Sequence, residues 1–317
     1  MFFSHKAPKL VWTENKQWIN SKPLTPELLK GKIVLFDFWT YSCINCLRTL
    51  PALRQMWEKY HKKGLIIIGV HTPEFEFEKE LMNVQNAVRT QNIEYPVLND
   101  PERINWENYG NTYWPRAALL DEEGMLVMEH VGESGYDDIE EEIIKHLRRL
   151  HHLGPEARSV KEEERTSPAG LSKETYAGSA RNTGLGSSRV CSKKSCDEFF
   201  DPGKRYHQDV MYLQGDWNQT KEYVEFMGEE PGYILFPYAA REVNIVLDGI
   251  GSATVLIDDK SLSSENAGND VQVRFGKSLV FLNGPRMYNI VKDKTFHQGK
   301  VKIIPCKGMR VYAYTFG

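Results

Sequence analysis

Cysteine is scarce in this chain, with five in 317 residues. That is too few for the disulfide framework of a small secreted domain. An excess of one charge is also missing. The chain has 40 Lys+Arg and 43 Asp+Glu, a formal net charge of −3, so no global field draws it to nucleic acid or to an anionic membrane. Long apolar runs are lacking too: stretches such as 65–70 (LIIIGV) fall far short of the roughly 20 residues of a membrane helix. The opening MFFSHKAPKLVW has neither an apolar core of about 7–15 residues nor a small-residue cleavage site. The expected location is therefore cytoplasmic, or periplasmic or otherwise extracytoplasmic if a leader has been removed. Repeats and low-complexity tracts are absent. Apolar residues at 41% and aromatics at 11% suffice for sizeable cores, and at roughly 100–200 residues per domain the length implies two.

The first half alternates strands and helices. Residues 32–39 (KIVLFDFW) form a dense apolar run suited to a buried strand. Behind it Leu50, Leu53, Met56 or Trp57, and Tyr60 recur at helical spacing until Gly64, and 65–70 is a second buried strand. A helix with Leu81, Val84 and Val88 on one face follows, then short strands at 95–98 and 117–120. A turn at 121–124 leads into a strand at 125–130, and a helix at 137–150 has acids first and Arg148 and Arg149 last. Residues 1–150 thus read as an α/β domain. Residues 151–170 (HHLGPEARSVKEEERTSPAG) are polar and read as a linker. In 171–317 short β-like runs recur at 243–247, 253–257, 271–275, 279–282, 288–291, 301–304 and 311–316, separated by turn signals. That pattern predicts an antiparallel β-sandwich.

Chemistry concentrates at Cys43-Ile44-Asn45-Cys46, directly after a buried strand and at the start of an amphipathic helix. A thiolate at a helix N-terminus is stabilised by free backbone N–H groups and the dipole. A second cysteine one turn along can resolve a mixed disulfide. Zinc sites also use C-x-x-C but need two further ligands at comparable spacing, and the other pair, Cys191/Cys196, has C-x4-C spacing in a distant region. Cys191 and Cys196 read as surface thiols, a local disulfide or a second redox pair. Cys306, in an apolar strand, reads as a small core residue, and His151-His152 as a solvated pair. Trp217, Tyr223, Phe226, Tyr233, Phe236 and Tyr238 read as sandwich core, with a sugar-stacking platform as the alternative.

Several strings around this dithiol carry a family resemblance: Trp18-Ile19-Asn20-Ser21, Asp37-Phe38-Trp39-Thr40-Tyr41-Ser42-Cys43-Ile44-Asn45-Cys46 through Pro51, and Gly69-Val70-His71-Thr72-Pro73-Glu74-Phe75. Residues 7–150 resemble the thioredoxin-fold domain of the DipZ group, relatives of the TlpA/ResA thiol-disulfide oxidoreductases and of the thioredoxin domains in NHL-repeat proteins. Gly215-Asp216-Trp217, Ala240-Arg241-Glu242-Val243 and the stretch 311–317 (VYAYTFG) resemble the carbohydrate-binding-like β-sandwich that follows it in DipZ. The polytopic membrane region of DipZ has no counterpart in these residues. The resemblance implies a thioredoxin fold followed by an antiparallel β-sandwich of jelly-roll or carbohydrate-binding-module type. It implies Cys43 as attacking thiol, Cys46 as resolving thiol, and Asp37 as the buried acid that exchanges the proton of Cys46. Glu74 stands where ResA-like proteins place an active-site glutamate. Pro51 matches a helix-kinking proline and Trp114-Pro115 a cis-proline that aligns substrate, with Trp39, Tyr41 and Trp114 as an aromatic rim.

The implied activity is thiol-disulfide exchange on protein or small-molecule disulfides, with a dithiol/disulfide redox partner and a possible glycan at the sandwich. No cofactor or metal is implied beyond the redox-active Cys43–Cys46 disulfide, and no nucleic acid. Two alternatives remain. Thr40-Tyr41-Ser42-Cys43 satisfies the T-x-x-C of a peroxiredoxin-type thiol peroxidase, with Arg116 as its arginine, although Phe36 stands where that motif has proline. A non-catalytic glycan- or partner-binding protein is the other.

The composition of 151–170 yields a direct prediction. With almost nothing apolar to bury, this stretch should be cut first in limited proteolysis, releasing two folded pieces. First cuts inside 30–150 would contradict the two-domain reading.

Overall fold

The computed structural model describes residues 5–6, 17–151, 153–154, 168–182, 184–190 and 197–317. The chain divides into two compact units, Met1–Arg165 and Thr166–Gly317. Most of the expected linker, together with His152, Cys191 and Cys196, lies outside the described residues. Among the described residues no helix is long and apolar enough to cross a membrane.

The first unit runs β1 (His5–Lys6), β2 (Trp18–Ile19), α1 (Pro26–Leu29), β3 (Ile33–Trp39), α2 (Ile44–Tyr60), β4 (Leu65–His71), α3 (Leu81–Thr90), β5 (Val97–Asn99), α4 (Ile104–Asn108), β6 (Arg116–Leu120), β7 (Met125–Val131) and α5 (Tyr136–Arg149). Its seven strands lie in the order β1-β7-β6-β3-β4-β5-β2. β3, β4 and β5 are parallel, and β6 and β7 are antiparallel. This is the expected thioredoxin fold. All seven residues of β3 are buried, which is why the strand reads as a continuous apolar run rather than an alternating one. Alternation persists in three dimensions. Ile33, Leu35 and Trp39 join the core built with α2, α3 and α5, whereas Val34, Phe36 and Phe38 join a second core with Trp106 of α4. With a side-chain period of two, Asp37 falls on the face of Ile33, Leu35 and Trp39, the face that α2 covers. Gly64, at φ +106°, takes the left-handed conformation that turns the chain from the end of the helix into β4.

Several short elements escape the sequence pattern. Five-residue α4 is too short for helical periodicity. Its start is instead held by the Asp100 carboxylate, which accepts the backbone N–H groups of Asn105 (3.1 Å) and Trp106 (3.0 Å).

The second unit has no helix among its described residues. It comprises β8 (Thr175–Tyr176), β9 (Ser188–Val190), β10 (Glu198–Phe200), β11 (Tyr212–Gln219), β12 (Val224–Phe226), β13 (Tyr233–Asp248), β14 (Ile250–Ile257), β15 (Lys260–Ser261), β16 (Val271–Arg274), β17 (Lys277–Asn283), β18 (Arg286–Ile304) and β19 (Arg310–Phe316). All pairings are antiparallel and join twelve strands in one hydrogen-bonded network. β13 pairs with β11 through Tyr233–Leu235 and with β19 through Val243–Asp248, so its two ends serve different neighbours across one core. The result is the expected antiparallel β-sandwich. The runs at 288–291 and 301–304 belong to one 19-residue strand, β18. The polar stretch between them is held by ladder bonds to β13, for example Ala240 opposite His297, and such bonds need no apolar side chains.

Trp217, Phe226, Phe236 and Tyr238 lie in this core, as the core reading expects. Tyr233 donates its hydroxyl to Asp201 at 2.8 Å, and Arg310 covers Tyr223 at 5.1 Å. Four of the six aromatics are thus core residues, while Tyr223 and Tyr233 are half-buried. Cys306 follows the end of β18 rather than lying within it, half-buried and packed against the core. Pro305 and the turn beyond it end the strand.

One close contact tests the packing under the dithiol. Gly69 pairs with Asp37 across β3 and β4. A Cβ on Gly69 would lie 3.0 Å from Trp39 Nε1, 3.2 Å from Tyr95 Cε2 and 3.3 Å from Val97 Cγ2. Gly69→Ala is expected to lower stability by about 1–2 kcal/mol through overpacking, read from the midpoint of urea unfolding. An unchanged midpoint would show that the Trp39 indole yields without cost.

Candidate active site

β3 delivers the chain to the N-terminus of α2, and the two cysteines occupy unequal places there. Cys43 is the N-cap residue, with extended φ −86° and ψ 116°, and its sulfur accepts the backbone N–H of Cys46 at 3.3 Å. A cap residue has such geometry because the first backbone N–H groups of a helix lack internal partners. Cys43 is half-buried, Cys46 is 0% exposed, and both are free thiols. Burial pushes the Cys46 thiol well above its ordinary range, and neighbouring Cys43 and Asp37 push it the same way. Pro51 lies inside α2.

Asp37 sits below, 0% exposed. Burial raises its carboxyl to about 7, with the Tyr136 hydroxyl opposing the shift. That hydroxyl closes no hydrogen bond of ordinary geometry with it, and both carboxylate oxygens lack a close partner. A buried carboxylate in this condition can gain or lose a proton near neutrality, because no cation or strong donor pins it in one state.

The remaining expected residues are dispersed by depth. Trp39 is 0% exposed and meets the His71 ring edge-on at 5.3 Å. It has no surface for a substrate, so its place in the aromatic rim is corrected to a floor under the site. The cause is the alternation of β3, which turns Trp39 into the core. Tyr41 is 5% exposed and stacks on His71 at 5.4 Å. Burial holds His71 down at about 4, so the ring is neutral at physiological pH. Trp114 is half-buried against Trp106, with ring centroids 4.1 Å apart. Pro115, buried and joined to Trp114 by a cis bond, precedes β6, whose Arg116 lies opposite Phe38. Both residues therefore lie at the end of the sheet where β3 gives way to α2. The adjoining Tyr113, 66% exposed, is a large apolar surface not singled out in the sequence.

The acidic residue that the structure brings to the dithiol loop is Glu78. Glu74 is half-buried, and its backbone N–H donates to Glu78 at 2.6 Å. Glu78 is 0% exposed, and its carboxylate also accepts from Thr40, Ser42 and Phe75. Acids stand at 74, 76, 78 and 80, so no sequence signal separates them. A 3-10 turn over Glu76–Lys79 decides which one points inward. Arg116, the candidate peroxidase arginine, donates to Tyr109 O at 2.7 Å, to Asn111 and to Glu129. Among the described residues no group of three His, Cys, Asp or Glu side chains is disposed to hold a metal.

Both units of the chain resemble known proteins. Residues 4–128 match the AhpC/TSA family and residues 172–317 the thioredoxin-like C-terminal domain family. Protein DipZ of Mycobacterium bovis is 30% identical over 306 residues, covering 95% of this chain and 41% of DipZ. Thiol-disulfide oxidoreductase ResA of Bacillus cereus is 28% identical over 145 residues, covering 46% of this chain and 79% of ResA. The crystal structure of a thiol:disulfide interchange protein of the thioredoxin family from Chlorobium tepidum aligns at 24% identity with TM-score 0.39, over 46% of this chain and 97% of that one. The chain spans about two-fifths of the length of its DipZ relatives. Over nearly its whole length the chain is similar to DipZ, and its first half is also similar to ResA.

Proposed function

We propose that this protein exchanges disulfides through Cys43 and Cys46, with a protein disulfide as substrate and a second dithiol/disulfide protein as redox partner. One observation carries the reading: a half-buried cysteine at a helix cap stands one turn from a fully buried cysteine, with a carboxyl held near 7 below them. In the reducing direction the Cys43 thiolate attacks one sulfur of the substrate. That S–S bond breaks, a Cys43 mixed disulfide forms and the first substrate thiolate leaves. Asp37 takes the proton of Cys46. The Cys46 thiolate then attacks Cys43 Sγ, closing the Cys43–Cys46 disulfide and expelling the second substrate thiolate, which takes up a proton. Oxidation of a substrate dithiol is the same sequence reversed, and relative reduction potentials set the direction. In the cytoplasm, the location expected from the sequence, such a dithiol runs as a reductase. The exposed Tyr113 and half-buried Trp114 supply apolar contact to an extended substrate segment. The peroxidase reading is weaker: Thr40 donates to Glu78, and the donors of Arg116 are taken by Tyr109, Asn111 and Glu129.

Trapping tests the reading. In a Cys191→Ser/Cys196→Ser background, Cys43→Ser should abolish both insulin reduction and substrate trapping. Cys46→Ser should abolish turnover yet accumulate mixed disulfides, because nothing remains to resolve them. Trapping by the Cys43→Ser variant would reverse the assigned roles. Hydrogen peroxide consumption without insulin reduction would favour the peroxidase.

Asp37 predicts a pH signature. Its folded value of about 7 lies above the ordinary 3.8, so the stability it contributes is intact below pH 4 and lost as pH rises through 7. Asp37→Asn, which cannot ionise, should therefore be more stable than wild type at pH 8, by up to about 4 kcal/mol. The gap should close toward pH 4. The same variant should slow exchange at least about tenfold at pH 7 and less at pH 9, where hydroxide competes better for the Cys46 proton. An equal kinetic loss at both pH values would reduce Asp37 to a structural role.

A further inference from the structure

Glu78 is the most heavily engaged buried side chain near the dithiol, and the exchange chemistry leaves it unused. Its Oε1 accepts from Thr40 Oγ1 at 2.6 Å, Ser42 Oγ at 2.6 Å and Ser42 N at 3.3 Å. Its Oε2 accepts from Glu74 N at 2.6 Å and Phe75 N at 3.0 Å. The carboxylate is 0% exposed, and no lysine or arginine forms an ion pair with it among the described residues. A buried charge is costly unless its lone pairs are filled, and here five donors fill them from two separate segments. One is the loop between β3 and Cys43, and the other is the turn beyond β4. The first set comes from the two residues that flank Tyr41, the residue stacked on His71. The same Thr40 hydroxyl oxygen lies 3.5 Å from His71 Nε2, so the loop is tied to β4 as well.

We infer that Glu78 is a positioning residue for the dithiol: its carboxylate clasps Thr40 and Ser42 and so fixes Cys43 at the cap of α2. The loop is a turn with one long backbone bond of its own, from Cys43 N–H to Thr40 O at 3.4 Å. Ser42 immediately precedes Cys43, so a shift there moves the Cys43 sulfur relative to the Cys46 N–H that it accepts. Burial raises the Glu78 carboxyl, and the hydrogen bonds from Ser42, Thr40, Phe75 and Glu74 oppose that shift. An amide is a poor substitute. Glu78→Gln can present one oxygen to three of the donors, but its NH2 then faces two backbone N–H groups.

This inference rests on Cys43 being the attacking thiol, and its test does not require turnover. The rate of iodoacetamide labelling of Cys43 is measured at pH 7 in folded, reduced protein, in the Cys191→Ser/Cys196→Ser background, with thermal unfolding recorded in parallel. Glu78→Gln is expected to slow labelling about fivefold, the scale of a lost helix cap. Thr40→Val and Ser42→Ala should each slow it in part. Combined with Glu78→Gln they should add little, since all three changes break the same clasp. If Glu78→Gln does not fold, Thr40→Val and Ser42→Ala decide the matter alone. A lower melting temperature with unchanged Cys43 labelling, or fully additive effects, would overturn the clasp and leave Glu78 a structural residue. Failure of wild type to reduce insulin would instead overturn the oxidoreductase reading, leaving the labelling comparison intact.

Discussion

Burial of β3 on both faces is the constraint that governs the dithiol domain. With α2 and α5 on one side and α4 on the other, every side chain of this strand is out of water. Any polar group placed there must be paired or must change its charge. Two carboxylates near the end of the strand meet the constraint in opposite ways. Glu78 is filled by donors until its position is over-determined. Asp37 has no close donor on either oxygen and is held near 7 instead. The same low-dielectric interior raises both carboxyls, and the two differ in the hydrogen bonds each receives.

The two thiols divide along the same line. The cap position gives Cys43 access to solvent and a backbone N–H, whereas one turn deeper Cys46 has neither exposure nor a stabilising charge. Their difference in exposure arises from helix geometry rather than from the intervening Ile-Asn. That dipeptide lies in the first turn, where Asn45 is exposed and accepts from Arg48 at 3.5 Å.

What the sequence made legible follows from the range of each physical signal. A buried strand leading into C-x-x-C is a local pattern, so the dithiol, the strand that delivers it and the helix that carries it could all be read from adjacent residues. The period of two placed Asp37 on the face of α2 as soon as α2 covered that face. Trp39 shares that face, and the alternation that favours Asp37 removes Trp39 from the surface. Glu78 was beyond reach because alternating acids look alike until a turn orients them. Long strand β18 reads as two runs because its polar middle is held by a partner far away in sequence, and no local window registers such bonds.

The fate of Thr40 shows why a matched motif is weaker than the contacts around it. T-x-x-C has chemical meaning in a peroxidase only when the threonine hydroxyl and an arginine are free to polarise a peroxide. A hydroxyl has one proton to donate, and that of Thr40 is given to Glu78 at 2.6 Å, a short bond of the charge-assisted kind. Withdrawing it for a peroxide would leave a buried carboxylate one donor short, a cost of about 1–3 kcal/mol. Arg116 faces the same conflict, since Glu129 and Asn111 hold its guanidinium. In this fold the threonine of the motif is bound to Glu78, in the turn beyond β4.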